Sequence, residues 1–285
     1  MKKTILLIGS NGMAGHVISE FLSGFKDYTI LRVARENLNQ KTDYFLDVTD
    51  FNKTERLINN VLPNVIINAV GILNKEAELN PDKAILLNTY FPHFLAKICN
   101  NISASLIHIS TDCVFSGKKG NYIENDIKDG IGFYAQSKAL GEVTYNNHLT
   151  IRTSIIGPDL KESGIGLFNW VLNQKGSITG YANAFWGGVT TLELAKAIDY
   201  IIRENAFNLN LVHLTNGNKI CKLNLIELIN DRFNLNLNIV SSSEYKVDKS
   251  LINTNSKFNY LVPSYKTMIN DIYEWVSNYK QIYNI

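Results

Sequence analysis

Short apolar runs and amphipathic stretches alternate along the first half of the chain. Residues 4–8 are β-branched and aliphatic and stop at Gly9, the pattern of a strand buried on both faces. Residues 17–25 then space their apolar side chains at helical intervals, and the exchange repeats. Residues 28–33 and 44–46 read as strands, Phe51–Val61 as a helix and Val65–Asn68 as a fourth strand. A long crossover helix enters through Pro81 and covers 84–99, where His93 reads as an ordinary helix residue at the core edge. Residues 105–110 follow as a strand, about 135–145 as a helix and Leu149–Thr153 as the sixth strand. Regular alternation of this kind predicts an α/β fold with a doubly wound parallel sheet.

Past Thr153 the regularity weakens. Gly157-Pro158 reads as a turn, 166–172 as a short helix, and 176–188 as a glycine-rich, aromatic stretch. Thr191 is expected to cap a helix to about residue 203. A buried strand at 211–214, an amphipathic helix at 222–233 and a closing helix near 265–279 complete the chain. The expected organisation is a main domain over 1–155 and a smaller substrate-binding lobe over 156–285, with a segment near 205–220 returning to the main sheet.

The turn after the first strand changes the picture from fold to chemistry. Gly9, Gly12 and Gly15 lie between a predicted strand and a predicted helix, the context of a dinucleotide fingerprint and hence of an NAD(P)-binding Rossmann fold. Such glycines permit a tight turn, a close backbone approach to a pyrophosphate and close helix–strand packing. The helix N-terminus offers its free amides to phosphate. Ligands of doubly wound sheets collect at the carboxyl ends of strands, where Gly9, Asp47, Asn68, Ser110 and Thr153 all fall. Asp47 suits an adenine amine, or else it caps the helix at Phe51–Val61. Asn68, Ala69, Val70 and Gly71 are small enough for a cofactor to lie against their backbone. The second strand ends in Arg32 and Arg35 where an NAD site usually holds an acid. These guanidinium groups suit a 2′-phosphate, so NADP (as NADPH) is favoured over NAD; the alternative is two solvated surface arginines.

Composition bounds the function without choosing it. The chain has 285 residues, a formal charge of +2 and 45% hydrophobic residues. This is ordinary globular composition, with no electrostatic footprint for nucleic acid or an anionic membrane. Cys99, Cys113 and Cys221 are scattered and lack metal-ligand spacing, which points to reduced thiols in the cytoplasm and to no metal site. The apolar run after Met-Lys-Lys is too short for a signal segment, and no later stretch has membrane-spanning length free of charges.

The densest chemistry is at Ser110-Thr111-Asp112-Cys113-Val114-Phe115, followed by Tyr134 and Lys138. On a helix the last two share a face. A hydroxyl, a phenol and an ammonium converging on one point would donate a proton to a carbonyl.

Together these residues resemble extended short-chain dehydrogenase/reductases, most closely the dTDP-4-dehydrorhamnose reductase type. The resemblance rests on Gly9-x-x-Gly12-Met13-x-Gly15, Asp47-Val48, Ser110-Thr111-Asp112-x-Val114-Phe115-x-Gly117, Tyr134-x-x-x-Lys138 with Gly141-Glu142, and Arg152-Thr153-Ser154. It covers roughly the first 160 residues, and Trp186-Gly-Gly-Val-Thr190-Thr191 has the look of the family's substrate lobe. The resemblance implies that Tyr134 is the proton donor, that Lys138 lowers its pKa and binds the nicotinamide ribose, and that Thr111 donates to the carbonyl oxygen. It also places Asn11, Met13, Val48, Ser154 and Ile155 on the cofactor surface, and Asp112, Cys113, Phe115 and Trp186 toward the substrate.

Sugar-nucleotide dehydratases carry a glutamate where Cys113 stands, so this chain is expected to reduce rather than dehydrate. Cys113 also departs from the tyrosine usual in dehydrorhamnose reductases and resembles the cysteine of GDP-fucose synthase, which epimerises before reducing. No histidine occurs between His148 and His213 to serve as its partner acid. The expectation is a reductase of a 4-keto-6-deoxy nucleotide sugar in surface polysaccharide precursor synthesis. The alternatives are an epimerase-reductase using Cys113 and a non-catalytic cofactor-binding subunit like the β-subunit of methionine adenosyltransferase. A homodimer is compatible with each.

Overall fold

The computed structural model describes residues 2–36, 41–160 and 166–283. Its centre is a seven-stranded parallel sheet. The first six strands are β1 (Lys3–Ile8), β2 (Tyr28–Ala34), β3 (Tyr44–Phe45), β4 (Val65–Asn68), β5 (Ser105–Thr111) and β6 (Leu149–Thr153). The strand Leu211–His213 joins the edge beside β6, giving the order Leu211–His213, β6, β5, β4, β1, β2, β3. The chain leaves β1 for β2 and β3 on one side, then returns to β4, β5 and β6 on the other. The crevice between β1 and β4 is therefore the switch point at which such sheets bind ligands. This is the doubly wound α/β architecture that the strand–helix alternation predicts.

The unbroken apolar run Ile5–Ile8 in β1 follows from its position. Ile5 and Leu7 point to one face and join a core with Val17, Ile18 and Leu22 of helix α1 (Met13–Ser23). Leu6 and Ile8 point to the other and pack with Ile58 of α2 (Phe51–Val61). With both faces covered, these four positions leave no place for a polar residue. The first core also takes in Ile198 and Ile201 of helix Thr191–Arg203, Ile226 of helix Lys222–Phe233 and Ile272 of helix Tyr265–Asn278. One apolar core thus runs from the first strand to the last helix. Thr190 caps the helix at Thr191–Arg203, its hydroxyl accepting from the Glu193 amide; the expected cap, Thr191, is the first helical residue.

After the short α3 (Asn74–Leu79), the crossover is the one continuous helix expected, helical from Pro81 to Asn101 in three stretches. These are α4 (Pro81–Ala84), a π-helical turn at Ile85–Tyr90, and α5 (Phe91–Asn101). Pro92 has no amide to give the Asn88 carbonyl, so the ladder widens there. Helix α6 (Phe133–Leu140) stops at Gly141 instead of reaching 145. A side chain at 141 would sit 1.8 Å from the Asn88 carbonyl oxygen. The chain then turns Glu142 inward.

Beyond β6, small strand pairs replace the large sheet. Ile155–Ile156 pairs with Val189–Thr190, and Ser177–Tyr181 with Asn238–Ser242. Ala184–Trp186 is flanked by Ile220–Cys221 and Val247–Asp248. A bridge between Tyr122 and Leu251 brings this late segment against the loop after β5.

Candidate active site

The glycine turn, the end of β4 and helix α6 meet over the switch point. Gly12 is the N-cap of α1, and no side chain caps the helix, so its first-turn amides suit an anionic ligand. A Cβ at position 15 would stand 2.1 Å from the Gly9 carbonyl oxygen; only glycine lets α1 begin this close to β1. Gly9 in turn lies against Ala69, and a Cβ on Gly71 would be 4.0 Å from Lys138 Nζ. Ala69, Val70 and Gly71 thus form a strip from the glycine turn to the α6 lysine.

Of the other residues expected to meet a cofactor, Ser110, Thr153 and Asn68 face inward, while Asp47 is exposed. The Ser110 hydroxyl donates to Glu142 Oε1 at 2.8 Å and the Thr153 hydroxyl to the Leu214 carbonyl at 2.8 Å. Asn68 is fully buried, donating to His108 Nδ1 and accepting from the Val70 amide. Ser154 accepts from the Val189 amide, and Ile155 pairs with the same residue. The Met13 sulfur lies beside Gly166, and the Asn11 amide donates to the Glu36 carbonyl. Asp47 accepts from the Thr49 amide and hydroxyl, which hold its carboxyl below the ordinary range; the residue that caps α2 is Asp50. Val48 beside it is buried.

Arg32 is a correction. Its guanidinium donates to Ser19 at 2.6 Å and Ser23 at 2.7 Å in the later turns of α1, and it pairs with Asp43. It is tied to the far end of α1, away from the glycine turn. Arg35, exposed beyond the end of β2 and close enough to act on the Asp47 charge, is the arginine that remains for a 2′-phosphate.

Thr111 ends β5 and is buried, while Tyr134 stands in the first turn of α6, hydrogen-bonded to the Thr111 hydroxyl. Burial pushes the phenol well above its ordinary value, the neighbouring Cys113 adds to this, and the Thr111 bond opposes it. Lys138 follows one helical turn later. Its Nζ donates to the Ile109 carbonyl at 2.7 Å and lies 3.4 Å from His108 Nε2. Burial draws the ammonium down to about 8, against the Glu142 charge.

In front of Tyr134 opens a cleft of about 420 Å³, within the range of small-molecule sites. Cys113, Ser116, Ala135 and Ile131 form part of its wall, with Lys75, Lys118 and Lys249 at its rim. Sequence reasoning missed these lysines. Lys75 and Lys118 look like any solvated lysine, and Lys249 reaches the cleft because its segment pairs with the loop after β5 through the Tyr122–Leu251 bridge and the Asp248–Gly117 hydrogen bond. Glu78, also in the wall, accepts from the Tyr134 amide at 3.2 Å and anchors the start of α6.

The residues expected to touch substrate divide. Cys113 lines the cleft, but burial and the Asp112 charge push its thiol up to about 11, so it is no ready base. Asp112 is buried, its carboxyl raised by burial against the opposing charge of Lys249. Phe115 is fully buried, its ring stacked on Tyr122 at 4.2 Å, and it contributes to the cleft wall. Trp186 is the second correction. It is 7% exposed, packs on Tyr265 and is absent from the cleft wall. The glycine pair after it forms no exposed turn: a Cβ on Gly188 would be 2.5 Å from the indole and 2.0 Å from the Ser154 carbonyl oxygen.

A model of the RmlD substrate binding domain matches residues 1–252. The chain belongs to this family. It is 31% identical over 140 residues to the dTDP-4-dehydrorhamnose reductase of Aggregatibacter actinomycetemcomitans, covering 48% of this chain and 45% of that protein. Over 209 residues it is 26% identical to the dTDP-4-keto-6-deoxy-D-glucose reductase of Streptomyces niveus, covering 70% and 69%. It is also 29% identical over 144 residues to the mouse methionine adenosyltransferase 2 subunit beta, covering 49% and 42%. The match spans about half the length of the first of these relatives. Among solved structures, the hypothetical dTDP-4-dehydrorhamnose reductase of Sulfolobus tokodaii superposes with a TM-score of 0.78 at 27% identity, over 93% of this chain and 98% of that one. The Bacillus anthracis dTDP-4-dehydrorhamnose reductase in complex with NADP gives 0.82 at 20% identity, over 96% and 100%.

Proposed function

We propose that the chain is an NADPH-dependent reductase of a 4-keto-6-deoxy sugar carried on a nucleoside diphosphate, supplying surface polysaccharide synthesis. The observation that carries this reading is the placement of Thr111, Tyr134 and Lys138 between the Ala69–Gly71 strip and the lysine-rimmed cleft. The uncapped α1 N-terminus and the glycine cradle fit a dinucleotide pyrophosphate, and Arg35 would meet a 2′-phosphate. When bound, NADPH supplies a hydride to the carbonyl carbon. Thr111 donates to the carbonyl oxygen as negative charge develops there, and the Tyr134 hydroxyl gives that oxygen its proton. Lys138 provides a cation on the same face of α6, against the burial that raises the phenol. Lys75, Lys118 and Lys249 suit the charge of a diphosphate.

Reduction is favoured over its alternatives by Cys113. It stands where a dehydratase carries a glutamate base, and its raised pKa withholds support from an epimerising thiolate. The reading includes a cytoplasmic location and is compatible with a homodimer. The likeness to the mouse adenosyltransferase subunit favours one second reading, a cofactor-binding regulatory subunit. Following NADPH absorbance with purified protein and a 4-keto-6-deoxy dTDP-sugar separates them. Turnover faster with NADPH than with NADH is expected. Stoichiometric NADPH binding with no oxidation by dTDP-, UDP- or GDP-linked 4-keto sugars would overturn the reductase.

A further inference from the structure

His108 is the buried titratable group beside the site that the proposed reaction leaves unused. The parallel register of β4 and β5 sets Asn68 next to His108, and both side chains are fully buried. The Val70 amide can only donate, and it does so to Asn68 Oδ1 at 3.1 Å. This fixes the Asn68 amide, whose Nδ2 then donates to His108 Nδ1 at 3.1 Å. A neutral imidazole accepting at Nδ1 carries its proton on Nε2, the nitrogen 3.4 Å from Lys138 Nζ. Burial and the Lys138 charge keep His108 neutral by drawing its pKa well below the ordinary value.

We infer that Asn68 and His108 form a tautomer lock: Asn68 holds the imidazole proton on Nε2, and this N–H faces Lys138 and weakens the lysine's hold on its own proton. Two N–H donors in contact cannot hydrogen-bond, whereas an unprotonated amine accepts from Nε2–H. The lock therefore favours a lysine that releases and regains a proton near working pH. The other charged or titratable groups around the pair are Glu142 beyond the end of α6, Tyr134 one turn earlier on α6, and His93 of α5, which acts on His108. Glu142 acts in the opposite sense, favouring the ammonium. His108 is a positioning residue here, acting through Lys138.

The kinetic consequence rests on the proposed reduction, but the lock itself is read without turnover. Nitrogen NMR of the imidazoles in the full-length protein is expected to show His108 protonated at Nε2 and bare at Nδ1; the opposite tautomer would overturn the inference. Asn68→Asp would accept from Nδ1–H, free Nε2 to accept from the ammonium, and raise the Lys138 titration by about one pH unit or more. That shift is read in the pH dependence of unfolding between about 8 and 10.5. It is expected to vanish when Asn68→Asp is made in a His108→Phe background. An unchanged midpoint in Asn68→Asp, or a shift that survives without His108, sinks the lock, the latter because the new carboxylate would then act directly. If the enzyme turns over, the alkaline limb of kcat should move with the same midpoint.

Discussion

The Lys138 ammonium loses its water on folding, and burial draws its pKa from 10.5 to about 8. Below pH 8 both folded and unfolded chains carry the proton, and the fold bears the full cost of the buried charge. Between about 8 and 10.5 the unfolded chain binds more protons, so this group makes stability rise with pH. Lys138→Met should therefore stabilise the protein at pH 7 by on the order of 1–3 kcal/mol, a gain that disappears above pH 10.5, while turnover is lost. Denaturant titrations at pH 7 and pH 10.5 check the sign. Cys113 follows the same physics from the acid side. With its thiol pushed up to about 11, it should react with iodoacetamide at pH 8 more slowly than a free cysteine, whose pKa is about 8.5. Mass spectrometry of the modified peptide reads the rate, and fast alkylation would revive an epimerising thiolate. Tyr134, Lys138 and Cys113 were all visible as motif positions, but their protonation states were not, because burial is set by chain that arrives later.

At the scale of elements, β6 and the end of α6 are joined by the buried Arg152–Glu142 pair. Arg152 donates through Nε to Glu142 Oε1 at 2.8 Å and through Nη2 to Oε2 at 2.7 Å, with Ser110 and Lys128 completing the carboxylate. Burial alone would raise Glu142, yet these partners hold it below its ordinary value. Its contribution to stability is present above the unfolded value near 4.5 and is lost as pH falls through the lower folded one. Glu142→Gln should cost about 3–5 kcal/mol at pH 7, because it strands the buried guanidinium, and should flatten the acid limb of the unfolding profile. Gly141-Glu142 and Arg152-Thr153 could be read as motif pieces; their contact with each other could not. The strands of the main sheet were legible because a two-sided buried strand leaves an unbroken apolar run. The end of α6 was not, since Gly141 matters through where the Asn88 carbonyl lies.

Across the whole molecule, the cleft is completed by a residue far from the dinucleotide fold in sequence. Lys249 reaches Cys113 and Asp112 because the segment around Leu251 pairs with Tyr122 and the Asp248 amide donates to the Gly117 carbonyl at 2.8 Å. Lys249→Gln should raise KM for a nucleotide sugar roughly 10- to 100-fold, the worth of one charge-assisted hydrogen bond, with NADPH affinity unchanged by fluorescence titration. An equal loss of NADPH binding would place this lysine elsewhere in the chemistry. The sequence by itself determined the parallel α/β sheet and the glycine turn at its switch point, because periodicity and close-packed glycines are local properties. Tertiary structure alone decided that Arg32 is tied to α1, that Trp186 is core behind Gly188, and that Lys249 faces the cleft. Each of these depends on which distant backbone lies within a few ångströms, and that distance is fixed only when the core closes.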